Sequence, residues 1–323
     1  MPARYLVSGA AGFIGARVTD FLTADGHEVV GIDNLNDAYD VRLKQWRLAR
    51  VHELAGFRFR QLDLSDRAGL ESLFQSHPFD AVINLAARAG VRQSLINPWA
   101  YYQTNVLGTL NLLTCCKDHG VEKFVLASTS SLYAGAPLPF DESRPTDRPL
   151  SPYAASKKAA ETLCHAYAHL YGIQATVLRY FTVYGPAGRP DMSPFRFVQW
   201  IIEGRPVTVY GDGRQSRDFA YVDDVAAGTL AAVGVGGYEI INLGSEHQVA
   251  LLEVIGIIEE LAGRKAALVH LPAHPADLPA TCASIQKAKA RLGWQPRVMI
   301  HEGLTHVVDW YRQNQSWAKN VET

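Results

Sequence analysis

The sequence predicts a doubly wound parallel α/β sheet joined to a smaller C-terminal domain. Three observations carry that expectation. Short apolar runs alternate with helical stretches from residue 4 to residue 180, the pattern of a parallel sheet covered on both faces. The first run leads into a glycine-spaced turn, GAAGFIG, from Gly9 to Gly15. After Tyr180 the alternation stops, and residues 181 to 220 become rich in Gly, Pro and Arg.

Arg4 to Ser8 reads as the first strand, and Phe13 to Ala24 has helical periodicity. His27 to Ile32 is a second apolar strand that ends at Asp33. Phe57 to Leu62, Phe79 to Leu85, Lys123 to Ala127 and Gln174 to Tyr180 read as further strands with helices between them. A short helix is expected near Phe195 to Glu203, one more helix and strand within 223–243, and a final helix near His301 to Gln313. The expected division is therefore residues 1–180, with 223–243 returning to the sheet, and a loop-rich second domain over 181–323. Crossovers in such a sheet are right-handed, so ligands gather at the carboxyl ends of the strands.

The 323 residues, 48% hydrophobic and 20% charged, suffice for a full core of ordinary globular type. A formal net charge of −1 gives no general attraction to nucleic acid or anionic membrane. The apolar run from Val225 to Gly237 is too short to span a bilayer. The first residues run straight into a strand, without the pattern of a secretory signal, so a cytoplasmic protein is expected. Cys115, Cys116, Cys164 and Cys282 lack CxxC spacing and read as reduced thiols.

Gly9, Gly12 and Gly15 follow a strand and open a helix. The first allows a tight turn, the second lets backbone approach a pyrophosphate, and the third permits close helix–sheet packing. The helix N-terminus then offers N–H groups to phosphates. Asp33, at the end of the second strand, suits the adenosine ribose hydroxyls and repels a 2′-phosphate, so the expected cofactor is NAD. Asp63 and Leu64 end the third strand, where the adenine edge is expected, and Asn84 to Arg88 end the fourth beside the same crevice.

Thr129, Ser130 and Ser131 precede Tyr153, and Lys157 follows it by four residues. A tyrosine and a lysine at i and i+4 share one helix face. A phenol titrating near ~10 must shift by about 3 units to act as a base near neutrality. A neighbouring lysine and a nicotinamide cation would both favour the phenolate. His165 and His169 also stand four apart, but no third ligand is evident and no metal is expected.

VSGAAGFIG, YAASK and RDFAYVDD together resemble the extended short-chain dehydrogenase/reductase superfamily, with its Rossmann-type sheet. GIDNLNDAYDVRLKQWRL, AGVRQSLINP, FTVYGPAGRPDM and GRQSRDFAYVDD are similar to the UDP-glucuronate 4-epimerases within it. The resemblance implies that Tyr153 is the catalytic base, Lys157 its partner and ribose anchor, and Thr129 the hydroxyl that bonds the reacting 4-hydroxyl. It implies a cofactor shell of Gly9, Gly12, Phe13, Ile14, Gly15, Asp33, Asn34, Asp63, Leu64, Leu85, Ala86, Ala87, Asn105, Ser128, Tyr180 and Val183, with Tyr153 and Lys157. It implies a UDP-sugar site drawn from Arg92, Ser130, Ser131, Thr182, Arg189, Phe195, Tyr210, Arg217 and Asp277. For Phe195 and Tyr210, which would flank the uracil, core packing is the competing reading. Two helices, near Tyr101 to His119 and Tyr153 to Tyr171, resemble those that pair in dimers of the superfamily, and Ala160, Leu163 and Ala166 would suit that contact.

The resemblance also separates outcomes. Decarboxylases of UDP-glucuronate carry a glutamate where Ser131 stands, and nucleotide-sugar dehydratases carry an Asp-Glu pair after the threonine. Two serines here imply epimerisation at carbon 4 without loss of carboxyl or water. A 4-epimerase of neutral UDP-hexoses and an NAD-sensing regulator remain as alternatives. Asn84, Arg88, Ala134 and Ala187 depart from the family pattern, which has His, Gln, Gly and Trp there. Ala187 in particular is expected to loosen the sugar pocket.

Overall fold

A computed structural model describes residues 2–273 and 278–323. Twelve strands follow in chain order: β1 (Arg4–Ser8), β2 (Glu28–Asp33), β3 (Phe57–Gln61), β4 (Ala81–Asn84), β5 (Lys123–Thr129), β6 (Gln174–Tyr180), β7 (Thr182–Tyr184), β8 (Val207–Tyr210), β9 (Ser216–Tyr221), β10 (Tyr238–Leu243), β11 (Gln248–Ala250) and β12 (Leu268–Leu271). The α-helices are α1 (Phe13–Ala24), α2 (Val41–His52), α3 (Arg67–Ser76), α4 (Val91–Ile96), α5 (Pro98–Tyr101), α6 (Gly108–Asp118), α7 (Pro152–Tyr171), α8 (Ser193–Glu203), α9 (Val222–Ala232), α10 (Leu251–Ala262), α11 (Gln286–Leu292) and α12 (Ile300–Ala318).

Seven strands form one parallel sheet in the order β10-β6-β5-β4-β1-β2-β3. The order reverses between β1 and β4, which opens a crevice above their carboxyl ends. Alternate side chains serve opposite faces. Val7, Ile83, Val125 and Leu178 pack with α1 and α9 through Val18, Leu22 and Val225. Their neighbours Leu6, Val82, Phe124 and Val177 pack with α3, α6 and α7 through Leu70, Leu112, Cys116, Ala160 and Cys164. The four cysteines are free thiols, three of them buried. No helix among the described residues is long and apolar enough to cross a membrane.

Beyond β6 the chain is more ordered than its composition suggests. The short strands β11-β9-β7 form a second sheet and β12-β8 a third, while α8, α10 and α12 close on a core of Val198, Val254, Ile258, Leu304 and Val308. Apart from the six-residue β9, these strands have only three or four residues, too short to show a period, so this region reads from sequence as loop. The helix expected over residues 101–119 is also broken. A π-type turn, Tyr102–Leu107, separates α5 from α6. Ala160, expected at an intersubunit contact, is fully buried against the sheet. The outward apolar side chains of this layer are instead Leu95, Ile96, Trp99, Leu107, Leu170 and Tyr171.

Gly303 marks the tightest helix contact in the second core. A Cβ there would lie 2.1 Å from the Tyr184 hydroxyl oxygen, on a ring that is 2% exposed. Gly303→Ala is expected to destabilise the protein by about 1–3 kcal/mol through overpacking. Gly256→Ala, in α10 with no atom within 4 Å of the new methyl, is expected to stabilise it by about 0.5–1 kcal/mol. Urea unfolding of the two variants checks the opposite signs.

Candidate active site

The chain leaves β1 through Gly9, whose φ is +71°. A Cβ on Gly9 would lie 2.8 Å from the Ala86 amide nitrogen; on Gly15 it would lie 2.0 Å from the Gly9 carbonyl oxygen. The turn is therefore folded against itself and against the β4 loop, with no space for side chains. Gly12 caps α1 without any side-chain hydrogen bond, so the first-turn N–H groups are available to an anion. Asp33 is buried at the end of β2 and accepts from the Leu35 amide at 2.8 Å. These features fit the pyrophosphate and ribose of a dinucleotide.

Two basic residues of α2, missed in the sequence, border this region. Lys44 is buried, with its Nζ 3.9 Å from Asp33 and donating to Asn36 Oδ1 at 2.9 Å. Burial holds its pKa below the ordinary lysine range, with Asp33 opposing. Arg47 donates to the Ala187 and Gly188 carbonyls at 2.6 and 3.1 Å, and reaches the Ala11 carbonyl at 3.4 Å and the Tyr39 hydroxyl at 2.7 Å. Ala187 is buried with φ +52°. Its loop is thus pinned through its backbone. A cation in the middle of an amphipathic helix was the available signal, but it reads equally as a solvated position.

Several implied cofactor contacts have other work in the structure. Asp63 accepts from Asn34 Nδ2 at 2.5 Å and from the Ser65 amide and hydroxyl at 2.8 and 2.7 Å; burial opposes ionisation, but these donors hold its carboxyl below the usual range. Asn105 is buried, accepts from the Arg88 amide and donates to the Arg88 carbonyl and to Ser156 Oγ. Its amide shapes the β4 loop rather than facing a ligand. The Tyr180 hydroxyl is bonded to Thr229 at 2.8 Å, which leaves its backbone for the crevice. Asn84 accepts from Ser8 at 2.6 Å and donates to Thr109 at 3.1 Å, and Ser8 Oγ in turn accepts from the Ala86 amide. This short chain of bonds sets the course of Leu85 to Ala87. Leu64 and Phe13 are buried, while Ile14 and Val183 are half-buried near the turn and in β7.

Thr129 ends β5 and Tyr153 begins α7, where Ser151 caps the helix through the Ala154 amide. The Thr129 hydroxyl accepts from the Ser131 amide and donates to the Ser131 hydroxyl, both at 3.1 Å. Ser130 and Ser131 are half-buried in the turn that follows β5. Burial pushes the Tyr153 phenol above its ordinary pKa, and a bond to Thr129 and the charge of Arg189 offset this only in part. Lys157 donates to the Ala127 carbonyl at 2.9 Å.

Beneath Lys157 lies an ion pair that no motif announced. Arg179 and Glu161, each 1% exposed in its side chain, meet through Nε at 2.9 Å and Nη2 at 2.8 Å. Glu161 also accepts from Ser128 Oγ at 2.6 Å. The Ser128 side chain is thereby committed to the fold. Arg179 lies over the Tyr133 ring at 4.8 Å, and Tyr133 donates to Asn242 of β10.

On the other side of the crevice, Tyr101 stands edge-on to Tyr153 at 6.0 Å and donates to the Gly90 carbonyl at 2.9 Å. Arg189 is paired with Asp191 at 2.6 Å and reaches the Ala89 carbonyl at 3.3 Å. Thr182 is half-buried at the start of β7. Arg92 lies over the Tyr210 ring at 4.1 Å, and Arg217 Nη1 donates to the Ser216 carbonyl at 2.8 Å. Phe195 is a correction. It is 3% exposed with its ring against Trp310 and Tyr311, so its side chain is core. Asp277 lies outside the described residues. His165 and His169 line a surface cleft with Tyr238, at the far end of α7 from Tyr153. Among the described residues no group of three His, Cys, Asp or Glu stands close enough to hold a metal.

Burial lowers the Lys157 pKa to about 8, with Glu161 acting in the opposite direction. In the unfolded chain a lysine titrates near ~10.4. Between those values the unfolded state holds more protons than the folded one, so this group's contribution to stability rises with pH. The stability of the wild type relative to Lys157→Met is therefore expected to increase from pH 8 to pH 10. Urea unfolding across that window checks the sign.

Residues 5–244 match the NAD dependent epimerase/dehydratase family. The chain is 53% identical over 319 residues to UDP-glucuronate 4-epimerase of Thermodesulfobacterium geofontis, covering 98% of this chain and 99% of that one. It superposes on the UDP-glucuronic acid 4-epimerase of Bacillus cereus, solved with UDP-glucuronic acid and NAD, with a TM-score of 0.91, 36% identity and coverage of 96% and 99%. A UDP-glucose 4-epimerase of Thermotoga maritima, solved with UDP-glucose, gives a TM-score of 0.88 at 32% identity, with coverage of 97% and 99%. With the glycine turn, the buried acid at the end of β2 and the Thr129–Tyr153–Lys157 group already in place, the chain belongs to the NAD dependent epimerase/dehydratase family.

Proposed function

We propose that this protein is an NAD-dependent UDP-glucuronate 4-epimerase, interconverting UDP-glucuronate and UDP-galacturonate. The observation that carries the reading is the hydroxyl corner Thr129-Ser130-Ser131 at the end of β5, close enough to Tyr153 for Thr129 to lower the pKa of its phenol. The near full-length relative from Thermodesulfobacterium supports it. We assign the sheet of residues 1–180, with 223–243, to the cofactor and residues 181–323 to the UDP-sugar. A homodimer that covers the exposed Ile96, Trp99 and Leu170, working in the cytoplasm, completes the proposal.

NAD, when bound, would supply a reversible acceptor for the hydride of carbon 4 of the sugar, which the epimerisation needs back on the opposite face. Gly9, Gly12 and Gly15 would admit its pyrophosphate and Asp33 its ribose. Thr129 positions the 4-hydroxyl and Tyr153 takes its proton. Because burial raises the Tyr153 pKa in the protein by itself, the phenolate depends on positive charge brought into the site. Lys157 holds the ribose and adds its ammonium from below.

The 4-keto sugar of a uronic acid is a β-keto acid. It loses carbon dioxide when the carboxyl bond stands perpendicular to the carbonyl plane. Ser130, Ser131 and Thr182 present hydroxyl donors that fix a carboxylate away from that orientation. An acid at position 131 would repel it. A neutral UDP-hexose is the second reading, favoured by the likeness to the Thermotoga enzyme.

Incubation with UDP-glucuronate is expected to give UDP-galacturonate with little carbon dioxide. Recovery of UDP-pentose, or conversion of UDP-glucose alone, would overturn the assignment. Tyr153→Phe is expected to lose at least about 100-fold in turnover, within the range for a general base, with NAD still bound. Ser131→Glu is expected to impair epimerisation of UDP-glucuronate more than that of UDP-glucose, read as the ratio of kcat/KM.

A further inference from the structure

Lys44, in the first turn of α2, meets the acid at the end of β2. Its Nζ is 3.9 Å from Asp33 Oδ1, and the two side chains are only 6% and 7% exposed. The same ammonium donates to Asn36 Oδ1 at 2.9 Å and lies 5.2 Å from the centre of the Tyr39 ring. A lysine is rarely buried this far unless its charge has a partner. Asp33 is that partner.

The turn between β2 and α2 is wound around this pair. Asp33 Oδ1 accepts from the Leu35 amide at 2.8 Å, and Leu35 has a φ of +53°, a left-handed conformation that residues other than glycine rarely adopt. Asn34 Oδ1 accepts from the Asn36 amide at 3.1 Å and from its side-chain nitrogen at 2.7 Å. Asn34 Nδ2 in turn donates to Asp63 at 2.5 Å. One chain of bonds thus runs from Lys44 through Asn36 and Asn34 to the end of β3. The neighbouring cations are engaged elsewhere: Arg88 reaches Asp37 at 4.0 Å, and Arg47 donates to the Ala187 and Gly188 carbonyls.

A carboxylate and an ammonium at this distance largely cancel each other's charge. Asp33 therefore has two tasks, to accept from ribose hydroxyls and to neutralise a buried cation. Removing the carboxylate would leave that cation uncompensated. It would then stand where NADP carries its extra phosphate, and a phosphate is an anion that an ammonium suits.

We infer that Lys44 is a cofactor-specificity residue: paired with Asp33 it helps to select NAD, and it forms a latent 2′-phosphate site that Asp33 keeps closed. The inference rests on NAD as the cofactor of the family and is independent of which sugar is epimerised. Binding of NADH and NADPH, read by nicotinamide fluorescence in protein stripped of bound dinucleotide, tests it without any turnover. Asp33→Ser removes the charge and makes room for a phosphate.

Asp33→Ser is expected to bind NADPH at least about 10-fold more tightly than the wild type does, the equivalent of one charged hydrogen bond. The gain should disappear in Asp33→Ser/Lys44→Met and persist in Asp33→Ser/Lys44→Arg. Lys44→Met alone should weaken NADH by about 3- to 10-fold as the turn loses its clamp, with no gain for NADPH. Asp33→Asn and Lys44→Gln replace these variants where one does not fold. An equal NADPH gain with and without Lys44 overturns the inference, because relief of the repulsion by Asp33 then explains the whole effect. No gain on removing the Asp33 charge also overturns it, since no latent site exists. A wild type that binds NADPH as tightly as NADH shows that the pair does not select. If it binds neither dinucleotide, the cofactor assignment fails, and the inference with it.

Discussion

The buried pair Glu161–Arg179 is the interaction on which the active-site geometry depends. Its two residues belong to α7 and β6, and Glu161 also holds Ser128 at the end of β5. Tyr153 and Lys157 ride on α7, Thr129 on β5, and β6 leads to Thr182. One ion pair thus ties α7 to β6 and, through Ser128, to the end of β5. A pair this deep gains little net stability, because desolvation offsets its attraction, but losing one partner strands a charge. Its four-residue offset from Lys157 also puts a negative charge under an ammonium that burial would otherwise deprotonate more readily.

What was legible in the sequence was the part governed by local rules. Gly9, Gly12 and Gly15 announced a turn because only glycine fits where a Cβ would meet the Gly9 carbonyl or Ala86. Helix α1 and strand β6 have the limits that periodicity gave them, and Asp33 ends β2 as its apolar run implied. What stayed hidden depends on long-range partners. Arg179 and Arg47 look like ordinary arginines until the fold shows what surrounds them. Phe195 resembled a ligand-stacking ring because a motif lay nearby, but its neighbours Trp310 and Tyr311 are more than a hundred residues away. The π-type turn at Tyr102–Leu107 was likewise invisible, since its helical period differs from that of α6 by a single widened turn.

The acid–base behaviour follows the same division. Spacing placed Lys157 on the Tyr153 face of a helix, but only the structure shows that it donates to the Ala127 carbonyl and that burial raises the phenol.

Arg47 deserves the same reading in terms of linkage. A single guanidinium joins the Ala11 carbonyl of the glycine turn to the Ala187–Gly188 backbone of the substrate loop. Neither loop can shift without straining the bonds of the other. A displacement of the glycine turn is therefore resisted by the Ala187–Gly188 backbone, and the reverse holds through the same guanidinium. Two loops more than 170 residues apart in the chain are held in step by one side chain of a third element, α2.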